Sequence, residues 1–385
     1  MAAFLTSFSN FFGEVFSNVG NLNWKMLVMW VVGGVLIYLA IKKDMEPALL
    51  LPMGFGAILV NLPMSGAVTQ FIDGQAEVGV LSFLYDKGIA NELFPLILFV
   101  GIGAMIDFAP LLSNPKLMLF GAAAQFGIFF TLSMASLFGF ELKDAAAIGI
   151  IGAADGPSSI FVANYFNSNY IGAIIVAAYS YMALVPIIQP PIIKLITSRK
   201  ERLIRMKYQE KEISKTVRIL FPIIITAVTG LVAPKAVALV GFLMFGNLIR
   251  ECGVLESLSE SAQKELANLV TLFLGITIAV QMRAQAFLDP KTLLIMGLGL
   301  VAFIFDTVGG VMFAKLYNVF AKEKINPMIG AAGISAFPMS ARVVHKIGLE
   351  EDNQNFLLMH STGVNVSGQI ASVIAAGMIL NLVAR

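Results

Sequence analysis

Between Asp144 and Lys194 the sequence carries one formal charge, Asp155, in the run Gly152-Ala153-Ala154-Asp155-Gly156-Pro157-Ser158-Ser159. A carboxylate at bilayer depth costs about 2.5–3.5 kcal/mol on insertion scales, so it persists only with a partner or a wet cavity. Here it stands beside Gly and Pro, where a helix breaks, and two hydroxyls follow at once. A broken backbone frees carbonyls, and carbonyls with a carboxylate and Ser oxygens suit a hard cation. The second half of the chain offers a counterpart, Asn326 to Arg342, rich in small residues and broken again at Pro338. It carries Gly330, Ser335 and Ser340. Small residues there also serve close helix packing, and a membrane Ser often bonds back to its own helix. Arg342 either snorkels to the interface or holds an anion. In the last apolar segment Asn365 lies between Gly363 and Gly368, with Ser361, Thr362 and Ser367 close by. An amide oxygen is a neutral ligand, and one carboxylate among neutral oxygens balances a single +1 ion, which favours Na⁺ over Ca²⁺ or Mg²⁺. Tyr181, in Ala178-Tyr179-Ser180-Tyr181, is a weaker candidate, since a buried Tyr usually seeks one hydrogen bond and packs. Asp107 and Asp306 rank lower still.

The elements that must position these residues are membrane helices. Of 385 residues, 58% are hydrophobic and 13% charged, against about 25% charged in soluble domains. A soluble fold cannot cover so much apolar surface, so the expectation is an all-α polytopic membrane protein. A net charge of +2 with dispersed basic residues gives no basis for a nucleic-acid partner. The single cysteine, Cys252, excludes an internal disulfide, and two histidines are too few for a histidine metal centre. No basic residue precedes Lys25, so a secretory n-region is not expected. Instead Phe4, Phe8, Phe11, Phe12, Phe16 and Val19 recur at helical spacing, which predicts an amphipathic segment over 1–20.

Apolar runs fall at about 25–41, 46–62, 94–111, 116–139, 143–166, 170–193, 216–232, 235–250, 267–282, 291–317, 325–346 and 353–383. The more polar stretch 63–93 reads as an extramembrane loop with some helix. The halves echo each other: Phe55-Gly56-Ala57 resembles Phe245-Gly246-Asn247, and Leu98-Phe99-Val100-Gly101 resembles Leu272-Phe273-Leu274-Gly275. Asn114-Pro115-Lys116 matches Asp289-Pro290-Lys291, and Pro157 meets Pro338. Four matches in one order imply two membrane repeats, 21–197 and 216–385, joined by a basic link over 198–215. Gly/Pro-broken segments in matching places mark a transporter's binding site. The link holds Arg199, Lys200, Arg202, Arg205, Lys207, Lys211 and Lys215, so it is expected to be cytoplasmic. If the segments near 94–111 and 267–282 are re-entrant, each half has five spans. The repeats are then inverted, and Lys42, Lys43, Arg342 and Lys346 also face the cytoplasm.

At Gly152-Ala153-Ala154-Asp155-Gly156-Pro157, Tyr181, and the spacing Asn326, Gly330, Ser335, Arg342, the sequence resembles the β subunits of the sodium-translocating biotin-dependent decarboxylases. The similarity runs through nearly the whole chain, including the basic link and the Asn365 segment. The resemblance implies a bacterial cytoplasmic-membrane subunit acting on carboxybiotin, which a biotin carrier subunit presents after a carboxyltransferase α subunit has loaded it. It implies decarboxylation coupled to Na⁺ export with consumption of a proton, and no biotin attached to this chain. It further implies a small γ-type membrane subunit and several β subunits in one assembly. By the same resemblance Asp155 binds Na⁺, and Tyr181, Asn326, Gly330, Ser335 and Arg342 are functionally important. As an expectation, Asp155, Asn326, Ser335 and Asn365 ligate the ion, and Tyr181, Ser335 and Arg342 serve the decarboxylation. A stand-alone Na⁺/H⁺ antiporter or Na⁺-coupled anion symporter is the competing reading, because such folds share broken helices and an intramembrane Asp.

Overall fold

The computed structural model describes residues 17–72, 74–207 and 212–383. Most of the predicted amphipathic segment, with Phe4, Phe8, Phe11, Phe12 and Phe16, and Lys211 of the link lie outside the described residues. The helices in chain order are α1 (Trp24–Lys43), α2 (Pro47–Val60), α3 (Val80–Leu84), α4 (Leu93–Met105), α5 (Ala109–Ser113), α6 (Met118–Ala124) and α7 (Phe126–Leu137). Then come α8 (Leu142–Gly149), α9 (Gly156–Tyr165), α10 (Ile171–Ile196) and, in the link, α11 (Arg199–Arg202). The second half has α12 (Lys215–Val232), α13 (Val237–Cys252), α14 (Glu256–Ser261), α15 (Ala267–Ile278), α16 (Ala284–Phe287), α17 (Pro290–Phe320), α18 (Met339–Glu351) and α19 (Leu358–Val383). An antiparallel hairpin, β1 (Gln70–Ile72) and β2 (Gln75–Glu77), pairs Gln70 with Glu77.

Among the described residues, seven helical stretches are long and apolar enough to cross a membrane. The chain is an all-α polytopic membrane protein. Its outward residues fit that solvent: Leu27, Val31 and Val35 on α1 and Ile223, Ile224, Val228 and Leu231 on α12 are exposed, a pattern suited to lipid rather than water. Twelve apolar runs become seven spans because several runs are broken. The run 143–166 is α8, a 3-10 turn Ile150–Ala153, and α9; the run 325–346 is a 3-10 helix Pro327–Gly333 followed by α18. α2 has only 14 residues. The stretch 63–93 carries the hairpin as well as α3 and a π turn, Tyr85–Ile89.

The chain forms two compact units, and each takes residues from both halves. One comprises the described residues of Met1–Asn91 with Leu272–Leu293. In it α1 lies on α2, and Gly56 meets Ile276 and Ala279 so closely that a Cβ would fall 2.6 Å from the Ala279 methyl. Asn61 Nδ2 donates to the Met282 carbonyl (2.8 Å) and its Oδ1 accepts from the Ala284 N–H (2.7 Å). The other unit comprises Glu92–Thr271 and Leu294–Arg385 and holds every candidate of the functional site. There α4 and α13 cross at backbone contact, because Gly103 and Gly246 lack the side chains that would keep them apart. A continuous apolar core follows, including Ile148, Ile151, Ala153, Ile174, Phe303, Ile334 and Val373.

Candidate functional site

Two interrupted helices meet at the centre of the second unit. After α8 the backbone tightens into the 3-10 turn Ile150–Ala153, and Ala154 takes a left-handed conformation (φ 51°, ψ 41°). That conformation is uncommon for a residue with a Cβ and costs about 1 kcal/mol. Asp155 then stands in extended conformation as the N-cap of α9, with Pro157 in the first turn. On the other side, Pro327–Gly333 is a 3-10 helix, and Ile334 and Ser335 bridge to α18. The two breaks are tied together, since the Ser335 N–H donates to the Ala153 carbonyl (2.9 Å). That bond supplies a partner for a carbonyl that no helix could satisfy.

Asp155 is 2% exposed. Its Oδ1 accepts from the Ser158 N–H (3.4 Å), while Oδ2 accepts from the Ser158 hydroxyl (2.6 Å) and from the Ser372 hydroxyl of α19 (3.1 Å). The Ser159 hydroxyl donates to the Asp155 carbonyl (2.9 Å). No Lys or Arg forms an ion pair with it among the described residues. A buried carboxylate held by neutral donors alone retains most of its charge for a guest.

Buried oxygens without partners lie on the elements that flank the two breaks. On α19, Asn365, Gln369 and Ser372 follow at i, i+4 and i+7, one stripe of the helix. Asn365 Nδ2 donates to the Ile334 carbonyl at the second break (2.7 Å), which fixes the amide and leaves Oδ1 without a partner. Gln369 Oε1 is likewise buried and unpartnered, as is the Tyr179 hydroxyl. Tyr179 lies against the start of α9: a Cβ on Gly156 would fall 2.2 Å from its ring. A lone carboxylate, two amide oxygens, a phenol and several hydroxyls form a donor set for a monovalent cation. No group of three His, Cys, Asp or Glu suited to a metal is present among the described residues.

The residues singled out in the sequence divide accordingly. Ser335 and Asn365 meet at the second break, which Ser335 ties to Ala153 next to the Asp155 turn, and Ser335 Oγ donates to the Gly368 carbonyl (3.1 Å). Gly330 packs on α17, where a Cβ would fall 2.1 Å from the Gly310 carbonyl oxygen. Tyr181 points to α17 and donates to the Met296 carbonyl (2.5 Å); the tyrosine beside Asp155 is Tyr179. Asn326 is engaged elsewhere. Its Nδ2 donates to the Arg202 and Ile204 carbonyls (2.8 and 2.9 Å), and its Oδ1 accepts from the Met328 N–H (3.1 Å). It therefore clasps the basic link to the 3-10 helix and makes no hydrogen bond to the Asp155 cluster. Arg342 is exposed on α18. Asp107 Oδ1 accepts from the Ala109 N–H (2.9 Å), closing the turn between α4 and α5. Sequence reasoning missed Tyr179, Gln369 and Ser372; the stripe spacing from Asn365 was the signal for the latter two.

Fold and site define a multi-pass helical membrane protein with a buried carboxyl between two broken helices. Residues 25–383 match the family model described as the Na⁺-transporting oxaloacetate decarboxylase beta subunit, and the chain belongs to that family. It is 46% identical to the oxaloacetate decarboxylase beta chain of Klebsiella pneumoniae, over 92% of this chain and 94% of that one. It is 47% identical to the methylmalonyl-CoA decarboxylase subunit beta of Propionigenium modestum, over 94% and 95%. With the glutaconyl-CoA decarboxylase subunit beta of Acidaminococcus fermentans the identity is 48%, over 94% of each chain.

Proposed function

We propose that this protein decarboxylates carboxybiotin presented by a partner biotin carrier and couples that reaction to Na⁺ export across a bacterial cytoplasmic membrane. Family membership over nearly the whole chain favours this over a stand-alone antiporter or anion symporter. The observation that carries the coupling is Asp155: a buried carboxylate held by Ser158 and Ser372 alone. Na⁺ is cargo here. It binds Asp155 with Asn365 Oδ1, Gln369 Oε1 and the Tyr179 hydroxyl, and a proton on Asp155 excludes it.

Loss of CO₂ from carboxybiotin leaves a nitrogen anion that takes up one proton, so that N–COO⁻ and H⁺ become N–H and CO₂. Arg342 receives the carboxylate. It is exposed on α18 and lies about 13 Å along the helix from Glu351 at 1.5 Å per residue. Glu351 pairs with Arg202 of the link (2.7 Å), which puts that helix end beside the basic cluster. Moving the carboxylate from water to a drier site favours decarboxylation. Tyr181 and Ser335 relay the proton. The two breaks, joined through Ser335 and Ala153, change their accessibility together.

The same reading takes the chain as two inverted repeats, 21–197 and 216–385, about the basic link at 198–215. Reciprocal packing supports it. Gly56 of α2 meets Ile276 and Ala279, and its counterpart Gly246 of α13 meets Val100. A π turn precedes each matched helix, Tyr85–Ile89 before α4 and Ala262–Leu266 before α15. Partners proposed with it are the biotin carrier, a carboxyltransferase α subunit that selects the substrate, a small γ-type membrane subunit, and further β subunits. The test is addition of Na⁺ to the purified protein with a carboxylated biotin carrier. CO₂ release that depends on Na⁺, and is lost in Asp155→Asn, is expected; release indifferent to Na⁺ refutes the coupling.

A further inference from the structure

A second buried acid is left unused by this scheme. Asp306 lies at the middle of α17 and is 0% exposed. Its Oδ1 accepts from the Ile128 N–H (3.2 Å), and the Gly127 N–H also bonds the carboxyl. These N–H groups lie in the first turn of α7, and the Ile128 N–H is shared with the Gln125 carbonyl (3.2 Å), so the carboxyl reinforces that turn from a neighbouring helix. This contact occupies one oxygen. The other, Oδ2, is buried without a partner. It lies against the 3-10 turn that leads into Asp155: a Cβ on Gly152 would fall 2.6 Å from Oδ2 and 2.9 Å from the Ala302 methyl. That gap is too tight for an ion needing several oxygens, yet it admits a hydrogen.

The surroundings supply no counter-charge. α7 and the turn Ile150–Ala153 contain no ionisable side chain, nor does the 3-10 helix Pro327–Gly333 that packs on Gly310. α10 faces α17 with Tyr181 and with Gln189, whose Nε2 approaches the Thr307 hydroxyl (3.5 Å). The other ionisable groups of α17 are Lys291, Lys315 and Tyr317, nine residues away or more. Asp155 stands three residues past Gly152, beyond the same turn. Two acids flanking one turn in an apolar core are poorly able to be ionised together.

We propose that Asp306 holds a proton on Oδ2 and passes it to the site of decarboxylation, so that Asp155 carries the sodium ion and Asp306 carries the proton that the biotin nitrogen consumes. The transfer balances: Asp306 gives up H⁺, the ureido nitrogen gains it as CO₂ leaves, and Asp306 is reprotonated from the opposite side. Access changes when the broken segment beside Gly152 moves.

This inference rests on the sodium–proton reading above, and the experiment separates the two. The complete complex is assayed as wild type, Asp155→Asn and Asp306→Asn for equilibrium Na⁺ binding, decarboxylation rate, and the infrared C=O band of a protonated carboxyl. Asp306→Asn keeps a carbonyl oxygen for Gly127 and Ile128. It is expected to bind Na⁺ as wild type does, to decarboxylate about 100-fold more slowly, the scale of general-acid loss, and to lose the band that Asp155→Asn retains. A wild-type rate and pH profile would reduce Asp306 to a helix cap. Weakened Na⁺ binding with the band still present would make it a cation ligand. Either result overturns the proposal. Should Asp306→Asn not assemble, Gly152→Ala crowds Oδ2 without touching the carboxyl; a shifted band supports the assignment and an unmoved one overturns it. If wild type and Asp155→Asn bind Na⁺ alike, the earlier reading fails instead, and the infrared band still decides where the proton sits.

Discussion

Replacing Gln369 by Met separates a structural amide from a sodium ligand by the signs of two effects. Gln369 is 2% exposed, and its Oε1 has no partner. A buried acceptor in that state costs about 1–3 kcal/mol. Met has nearly the same volume and no acceptor, so the sodium-free variant is expected to unfold at higher temperature than wild type. With sodium the sign reverses. A bond from a polar group to a charge is worth about 1.5–3 kcal/mol, so the variant is expected to bind Na⁺ about 10- to 100-fold more weakly, at 1.4 kcal/mol per decade. Sodium stabilises wild type by about 2.7 kcal/mol at one hundred times its dissociation constant; at the same concentration the variant should keep about 1.4 kcal/mol if binding is tenfold weaker and about 0.4 if it is hundredfold weaker. The assay is a thermal unfolding series over Na⁺ concentration, with K⁺ holding ionic strength constant, alongside the Na⁺ dependence of decarboxylation. A variant that is less stable without sodium, yet responds to it as wild type does, would refute Gln369 as a ligand.

Other expectations follow from single contacts. Gly156→Ala sets a methyl about 2.2 Å from the Tyr179 ring, so it should cost about 1–3 kcal/mol of stability and weaken Na⁺ activation; wild-type sodium titration would contradict the position given to Tyr179. Ser372→Ala removes one donor from Asp155 Oδ2 and should make protons compete with Na⁺ at higher pH than in wild type, read from the pH dependence of sodium activation. On the link, Arg205 grips Asp352 through two hydrogen bonds (2.6 and 3.0 Å), and these bonds hold the Asp352 carboxyl below its ordinary range. A depressed carboxyl contributes above its unfolded value of about 3.9 and loses that contribution as pH falls through the folded value. Protection of the amides over 198–207, relative to their intrinsic exchange rates, should therefore be high at neutral pH and fall only below about pH 4, whereas Arg205→Ala should lower it already at neutral pH.

What could be read from the sequence, and what could not, divides along physical lines. A lone charge beside Gly and Pro in an apolar run pointed to Asp155 because cost and breakage are local properties. The second break at Pro338 followed from the same logic. Tyr179 and Tyr181 are two residues apart on one helix, so they face nearly opposite ways. Only the rotation of α10, set by its neighbours, decides which one reaches Asp155. Asn326 reads as a candidate ligand until Arg202 and Ile204, more than 120 residues earlier, are seen to occupy its amide. The interruption between α6 and α7 at Gln125 has no Pro to announce it. Asp306 arrives there from another helix and bonds the N–H groups of Gly127 and Ile128, a contact no local pattern encodes. Gln369 and Ser372 were passed over although the i, i+4, i+7 stripe with Asn365 carried the signal, since helical spacing is fixed by geometry alone. The hairpin at Gln70–Glu77 was not, being two three-residue strands in a polar stretch.

The central claim is that one buried carboxyl accepts either a sodium ion or a proton, never both. Equilibrium binding of ²²Na⁺ to the purified protein over a series of pH values tests it without any turnover. Apparent affinity should fall tenfold for each unit of pH below the carboxyl's titration, and high-affinity binding should be absent from Asp155→Asn. Binding that ignores pH, or persists undiminished in that variant, would contradict it.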